Sequence, residues 1–259
     1  MKKITYLLFL FIGFFCYSNS KISLAITRND SLKVIRKVVK NYEKGVFKNE
    51  ELVVFSYENY LVSKIATTQN GRFLEDVEVK FENGKLTQMN FIYLTIRNSK
   101  NDIVNPPKES LNVIYDYDNN GLIKTVRKEC NALIHVVYLT YNDAKQLIKE
   151  TETEGANILS EKKFKYDKNG NLYNVKNFTA REYNYYKAYD NKKNPFSLIY
   201  PEAYLQVYQI SKNNIKSCNR NGKACTYEYE YNSSNYPTKI IEKIGREVQT
   251  ETIIEYRKS

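Results

Sequence analysis

FKYDKNGNLYNVKNF, residues 164–178, sets an aromatic residue and an acid before a turn and resumes with an apolar residue. The phrase returns as VKFENGKLTQM (79–89), IYDYDNNGLIKTV (114–126), LTYNDAKQLIKE (139–150) and YEYNSSNYPTKII (229–241). Placing the ring before each turn gives Tyr57, Phe81, Tyr117, Tyr141, Tyr166, Tyr189 and Tyr231, so a unit of about two dozen residues recurs. The interval from Phe81 to Tyr117 is long, and that from Tyr189 to Tyr231 is longer still. Self-similarity at such a period marks a repeat architecture, in which neighbouring units bury one another's apolar faces.

Each unit reads as two antiparallel strands and a turn. Side chains alternate faces along a strand, so Tyr227, Tyr229 and Tyr231 point one way and Glu228 and Glu230 the other. Thr151 and Thr153 alternate likewise with Glu150, Glu152 and Glu154. Asn83-Gly84, Asn120-Gly121, Asn169-Gly170 and Asn221-Gly222 supply turns, because tight hairpins need positive φ at their central positions. A two-residue turn at Asn169-Gly170 sets Tyr166 against Tyr173 and Phe164 against Val175; a three-residue loop with a bulge shifts that register, and both remain open. Residues 31–45 fit an amphipathic helix with Ile35, Val38, Val39 and Tyr42 on one stripe. They fit equally the second strand of a unit, and their β-branched content and the repeat frame favour the strand. The expected fold is all-β, an antiparallel meander of hairpins.

The tyrosine-acid-turn-Gly-Leu phrasing resembles the YD-type, RHS-like β-repeats of bacterial surface and secreted proteins. More narrowly, YDNKKNPF (189–196), SKNNI (211–215) and YEYEYNSSNYPTKI (227–240) are similar to an uncharacterised family of exported Gram-negative repeat proteins, a domain of unknown function with a porin-like β fold. The repeats run from about Leu32 to Tyr256. The resemblance implies hairpins that curl into a curved sheet or half-barrel, and it brings no catalytic residues with it. Two positions depart from the pattern: Pro237 stands where leucine is usual, and Tyr141-Asn142-Asp143-Ala144 lacks the glycine.

MKKITYLLFLFIGFFCYSNS (1–20) has two lysines, a short apolar run and a small-residue end, the form of an export signal. Cleavage near Ser20 leaves one β-repeat domain over 21–259 and no transmembrane helix. An uncleaved anchor is the alternative; a lipid on Cys16 would want a small residue before it, where Phe14 and Phe15 stand. Cleavage removes Lys2 and Lys3 and no acid, lowering the formal net charge from +11 to +9. The lysines are spread through every segment, which describes a solvated face, and export argues against nucleic acid as a partner. The expected location is outside the cytoplasm: periplasm, outer-membrane surface or secreted.

The stretch NPFSLIYPEAYLQVYQISKNN (194–214) breaks the rhythm and is richer in apolar and aromatic residues than a turn requires. Pro201 can start a short helix that sets Tyr204 and Tyr208 one turn apart. Its expected job is to plug the open end or concave face of the sheet; alternatively Tyr200, Tyr204 and Tyr208 form a binding platform for a sugar or peptide. Around Asn221-Gly222, Cys218 and Cys225 fall opposite each other, so a disulfide is expected in an oxidising compartment. Cys130 is left as a buried small hydrophobe, on the opposite strand face from His135, the single histidine.

No metal or cofactor is expected. The EF-hand-like start Asp116 to Gly121 meets Arg127 where a bidentate glutamate is required. A carboxylate pair drawn from Glu228, Glu230 or Asp190 is the remaining route to catalysis. The leading expectation is an exported non-enzymatic scaffold or binding surface for a glycan or protein at the cell envelope. The alternatives are an outer-membrane β-barrel-like protein, disfavoured by charges on both strand faces, and a polysaccharide-acting hydrolase.

Overall fold

The computed structural model describes residues 32–93, 96–97, 103–104 and 109–258; the leader reading, Cys16 included, lies outside them. The first half holds β1 Leu32–Glu43, β2 Val46–Glu58, β3 Leu61–Gln69, β4 Arg72–Glu82, β5 Lys85–Tyr93, the short pair β6 Ile96–Arg97 and β7 Ile103–Val104, β8 Glu109–Tyr117 and β9 Ile123–Cys130. The second holds β10 Leu133–Tyr141, β11 Leu147–Glu154, β12 Asn157–Tyr166, β13 Leu172–Asn177, β14 Glu182–Tyr189, helix α1 Glu202–Val207, β15 Ile215–Arg220, β16 Lys223–Tyr231, β17 Pro237–Ile244 and β18 Glu247–Lys258. Residues 32–43 are strand, as the repeat frame favoured.

The meander closes. β1 pairs with β18 from Leu32↔Lys258 to Asn41↔Thr250, so sixteen antiparallel strands form a complete barrel, with β6 and β7 a separate pair. This corrects the curved sheet or half-barrel. The physical reason is the edge: an open meander would leave two rows of unpaired backbone groups, and the first and last strands satisfy each other instead.

The repeated phrase has two working parts. The first is the tyrosine. Tyr57, Tyr117, Tyr141, Tyr166, Tyr189, Tyr229 and Tyr256 donate their hydroxyls to the carbonyls of Val34, Leu86, Ile123, Leu147, Leu172, Ile215 and Pro237, at 2.6–2.9 Å. Each bond joins a strand to the preceding strand of the barrel, and the register shifts at Asp116/Tyr117, Thr140/Tyr141 and Lys165/Tyr166 place a β-bulge beside it. A bulge interrupts the ladder, and the hydroxyl secures a carbonyl next to the interruption. Pro237 fits because proline loses its N–H and keeps the carbonyl that Tyr256 needs.

The second part is the acid or amide. Asp118 Oδ1 accepts from the backbone N–H groups of Asn120 and Leu122, and Asp167 Oδ1 from those of Asn169 and Asn171. These Asx loops replace the expected two-residue turns at Asn120-Gly121 and Asn169-Gly170, whereas Asn83-Gly84 and Asn221-Gly222 are two-residue hairpins with positive φ at both residues. Phe164 faces Val175 as read, but the bulge at Tyr173 brings Leu172, in place of Tyr173, opposite Tyr166. In the repeat without glycine, Lys145 adopts φ 60° and the turn closes in the same way, Asn142 N–H to Gln146 O at 3.0 Å.

The irregular stretch is one of these turns grown inward. Asp190 N–H donates to Asn214 O at 2.9 Å, and Asp190 Oδ1 accepts from the N–H of Asn214, so Asn214 takes the place that Leu122 and Asn171 hold in the ordinary loops. Between them a 3-10 turn over Pro195–Leu198 and helix α1 carry Phe196, Leu198, Ile199, Tyr204, Val207 and Ile210 into the barrel. There they pack with wall residues Val34, Val62, Leu86, Ile123, Leu147 and Leu172, each no more than 2% exposed. The plug therefore fills the half of the lumen nearest the Asx loops.

Candidate functional site in the charged half of the lumen

Beyond the plug, toward the two-residue hairpins, the same inward positions turn polar. The register places Lys37 and Asn41 of β1, Glu51 of β2, Gln69 of β3 and Glu75 of β4 on one stretch of the inner wall. Lys128 of β9, His135 of β10, Glu150 and Glu152 of β11 and Lys162 of β12 face inward further round. Arg220 of β15, Tyr227 of β16 and Glu242 of β17 complete the ring.

The three groups differ in how well their charges are matched. Glu152, 5% exposed, accepts from Lys128 Nζ at 2.9 Å and faces His135 Nδ1 at 3.5 Å. Burial works to raise its pKa, yet Lys128, Lys162 and His135 together hold it below the usual carboxylate value. Glu242, 2% exposed, accepts from Arg220 at 2.6 Å and from the Tyr227 hydroxyl at 3.1 Å. Both clusters are closed sets of opposite charge.

The third group is bonded through amide side chains. Glu51, 8% exposed, accepts from Asn41 and Gln69 at 3.3 Å each. Burial raises its pKa, and burial followed by the Glu51 charge pushes Glu75 up to about 7. Burial also lowers Lys37 to about 8 against the opposing pull of Glu51. Two acids and one lysine thus share a half-buried wall in which none has its ordinary proton affinity, the condition in which a ligand's own charges have most to contribute.

The sequence-predicted tyrosines meet this wall from below. Tyr200 and Tyr204 stack with centroids 4.2 Å apart at 17°, and Tyr204 and Tyr208 lie 4.3 Å apart at 31°. The column reaches the far wall through the Tyr208 and Tyr115 hydroxyls, 3.0 Å apart. Burial pushes Tyr208 up to about 12 and raises Tyr200 and Tyr204 as well, so all three are neutral donors. Tyr204 has a ring against each of its faces, so edges and hydroxyls are what the column offers.

Cys218 and Cys225 face each other across β15 and β16 as read, and both are free thiols in this structure. Cys225 donates to Lys223 O at 3.5 Å, and burial pushes the Cys218 thiol up. Cys130 and His135 share the inner face because a turn separates them, and they do not lie on one straight strand. The acids considered for catalysis do not converge: Glu228 and Glu230 point outward with side chains 57% and 70% exposed, while Asp190 holds the enlarged turn. What sequence reading missed is the inward ring. Its signal lay in the alternation of Glu150, Glu152 and Glu154, which fixes a face without saying that the face is the inner one.

No family model and no curated protein matches the sequence. Among solved structures the fold is similar to that of a porin-like protein from Bacteroides uniformis, at 13% identity and a TM-score of 0.55, covering 87% of this chain and 96% of that one. The solved structure of TcdB2-TccC3-TEV also aligns, at 10% identity over 85% of this chain and 16% of that one; its TM-score of 0.23 carries no argument. The architecture is thus a porin-like β-barrel. Of the readings open to the sequence, this backs the barrel alternative over an open repeat scaffold.

Proposed function

We propose that the chain is a non-enzymatic, porin-like barrel of the cell envelope that stands in water and holds a small polar ligand, a short glycan or peptide, in the charged half of its lumen. The observation that carries the reading is the distribution of polarity across the wall. Outward positions bear charge on strand after strand: Lys40 between Glu50 and Glu251, Lys64 beside Asp76 at 2.5 Å, Arg36 with Glu255 at 3.0 Å, and Lys243 with Glu228 at 2.5 Å. A lysine or arginine facing lipid at mid-depth costs about 2–4 kcal/mol, so these charged outward positions favour water. The six-residue strands β13 and β15 reach only about 20 Å, short of the apolar band of about 25 Å that an outer-membrane barrel needs. Within the lumen, Lys37, Glu51 and Glu75 offer both charge signs, with Tyr200 close enough to Glu75 to feel its charge.

Export rests on the leader at 1–20. The second reading, an outer-membrane barrel, is favoured by the sixteen-strand porin-like closure. Fractionation of cells producing the full chain separates the two: recovery in the detergent-free soluble fraction is expected, and recovery only in detergent micelles would favour the membrane reading. For the ligand, tyrosine emission is the readout, since the chain has 24 tyrosines and no tryptophan. Titration with short peptides and oligosaccharides should change emission in the native chain and not in the Lys37→Met variant; an unchanged response in that variant would move the site elsewhere.

A further inference from the structure

The outer wall of β12, β13 and β14 departs from the charge pairing found elsewhere on the barrel. Lys149, Lys163 and Lys176 are direct cross-strand neighbours in one row, which ends at Tyr183. Like charges directly opposite each other on a sheet are destabilising. Glu161 relieves one side, at 2.8 Å from Lys149 and 3.9 Å from Lys163. On the other side no acid pairs with Lys176 among the described residues. Lys176 and Lys163 lie over the Phe178 ring at 4.5 and 5.0 Å from its centroid, and Lys176 also lies 5.1 Å from the Tyr183 ring.

The next row, Lys165, Asn174 and Tyr185, continues the pattern. Together they line a depression of about 370 Å³ bounded by Lys163, Lys165, Asn174, Lys176, Phe178, Tyr183 and Tyr185, with no carboxylate among its lining residues. The rings are exposed: Phe178, Tyr183 and Tyr185 are each 40–41% exposed, and Tyr173, which meets Tyr185 edge-on at 6.2 Å, is 49% exposed. Elsewhere Lys40, Lys64 and Arg36 face acids across the strands. A repulsive row kept beside exposed rings is costly for the fold alone.

We infer that this depression is a binding site for an acidic polysaccharide, separate from the lumen. Three ammonium groups answer carboxylate or sulfate groups along the chain, the exposed Tyr185 ring answers the apolar face of a sugar ring, and the tyrosine hydroxyls answer sugar hydroxyls. The concavity suits a strand of sugars better than the flat surface of a bilayer.

The test is affinity of the exported protein for dextran sulfate and polygalacturonate at physiological salt, with neutral dextran, duplex DNA and anionic phosphatidylglycerol vesicles as comparisons. Substituting Lys163→Gln, Lys165→Gln and Lys176→Gln together should weaken binding of at least one acidic polysaccharide tenfold or more. The same loss of charge at exposed Lys80, Lys124 and Lys216 should change it less than threefold, which separates a site from general attraction to a basic protein. Tyr185→Ala, which leaves the charge intact, should weaken it about threefold or more. Equal losses from the two lysine triples, no effect of the first, tighter binding of DNA or vesicles, or no binding of either acidic polysaccharide would each overturn the assignment. Circular dichroism of every variant reports whether the barrel is retained, and these outward side chains leave its core untouched.

Discussion

The two halves of the lumen are built from the same strands and hold opposite chemistry. Near the Asx loops, inward positions carry Leu86, Ile123, Leu147 and Leu172, fully buried against the plug, with tyrosine hydroxyls bonded to backbone carbonyls. Near the two-residue hairpins, the same faces carry Glu51, Glu75, Glu152 and Glu242. The first half commits its tyrosine hydroxyls to the backbone of the fold. The second leaves charges at shifted proton affinity, which is what a binding site requires and a core avoids.

If that division is right, substitutions in the two halves should differ in size and in sign. Leu172→Ala, in the tyrosine-bonded half, is expected to cost about 3–4 kcal/mol, read by denaturant unfolding; a cost below about 1 kcal/mol would mean that the plug does not pack there. Glu75→Gln should do the reverse and stabilise. Its pKa is raised from 4.5 to about 7, so the folded chain binds more protons than the unfolded one between those values. Stability from this group is therefore lost as pH rises through that window. The variant should gain about 2 kcal/mol at pH 9 and almost nothing at pH 4, and a gain independent of pH would show that charge is not the cause.

Glu152→Gln tests the matched cluster in the same half. Its pKa is depressed by its cationic neighbours despite burial, so it stabilises at neutral pH, and that contribution fades as pH falls through the carboxylate range. The substitution should cost about 1–2 kcal/mol at pH 7 and less at pH 3, opposite in sign to Glu75→Gln. Tyr166→Phe removes one hydroxyl-to-carbonyl bond, at 2.8 Å, and should cost about 1 kcal/mol. The smallest effect expected is a gain: Lys145→Gly relieves a non-glycine residue at φ 60° and should add about 0.5 kcal/mol. A loss there would show that the lysine side chain supports the turn.

The sequence disclosed the repeat because tyrosine, acid and turn recur locally, and each part acts within a few residues or on the adjacent strand. Strand identity at 32–43, the facing of Phe164 and Val175, and the opposed cysteines follow from period and spacing. The Asx loops were less legible, since Asn-Gly reads alike in a two-residue hairpin and in a loop closed by an aspartate two or three residues earlier. The candidate site was half visible: Tyr200, Tyr204 and Tyr208 stood out by composition, while Lys37, Glu51 and Glu75 lie on separate strands and looked like ordinary surface charge.

Alternation along the chain determined which side chains share a face, because the pleat has a period of two whatever surrounds it. Closure decided which face is inside. That choice depends on Leu32–Glu43 meeting Glu247–Lys258, two segments at opposite ends of the described chain, and on an enlarged turn folding into the lumen. No local pattern encodes either contact, so the charged ring came into view only with the barrel.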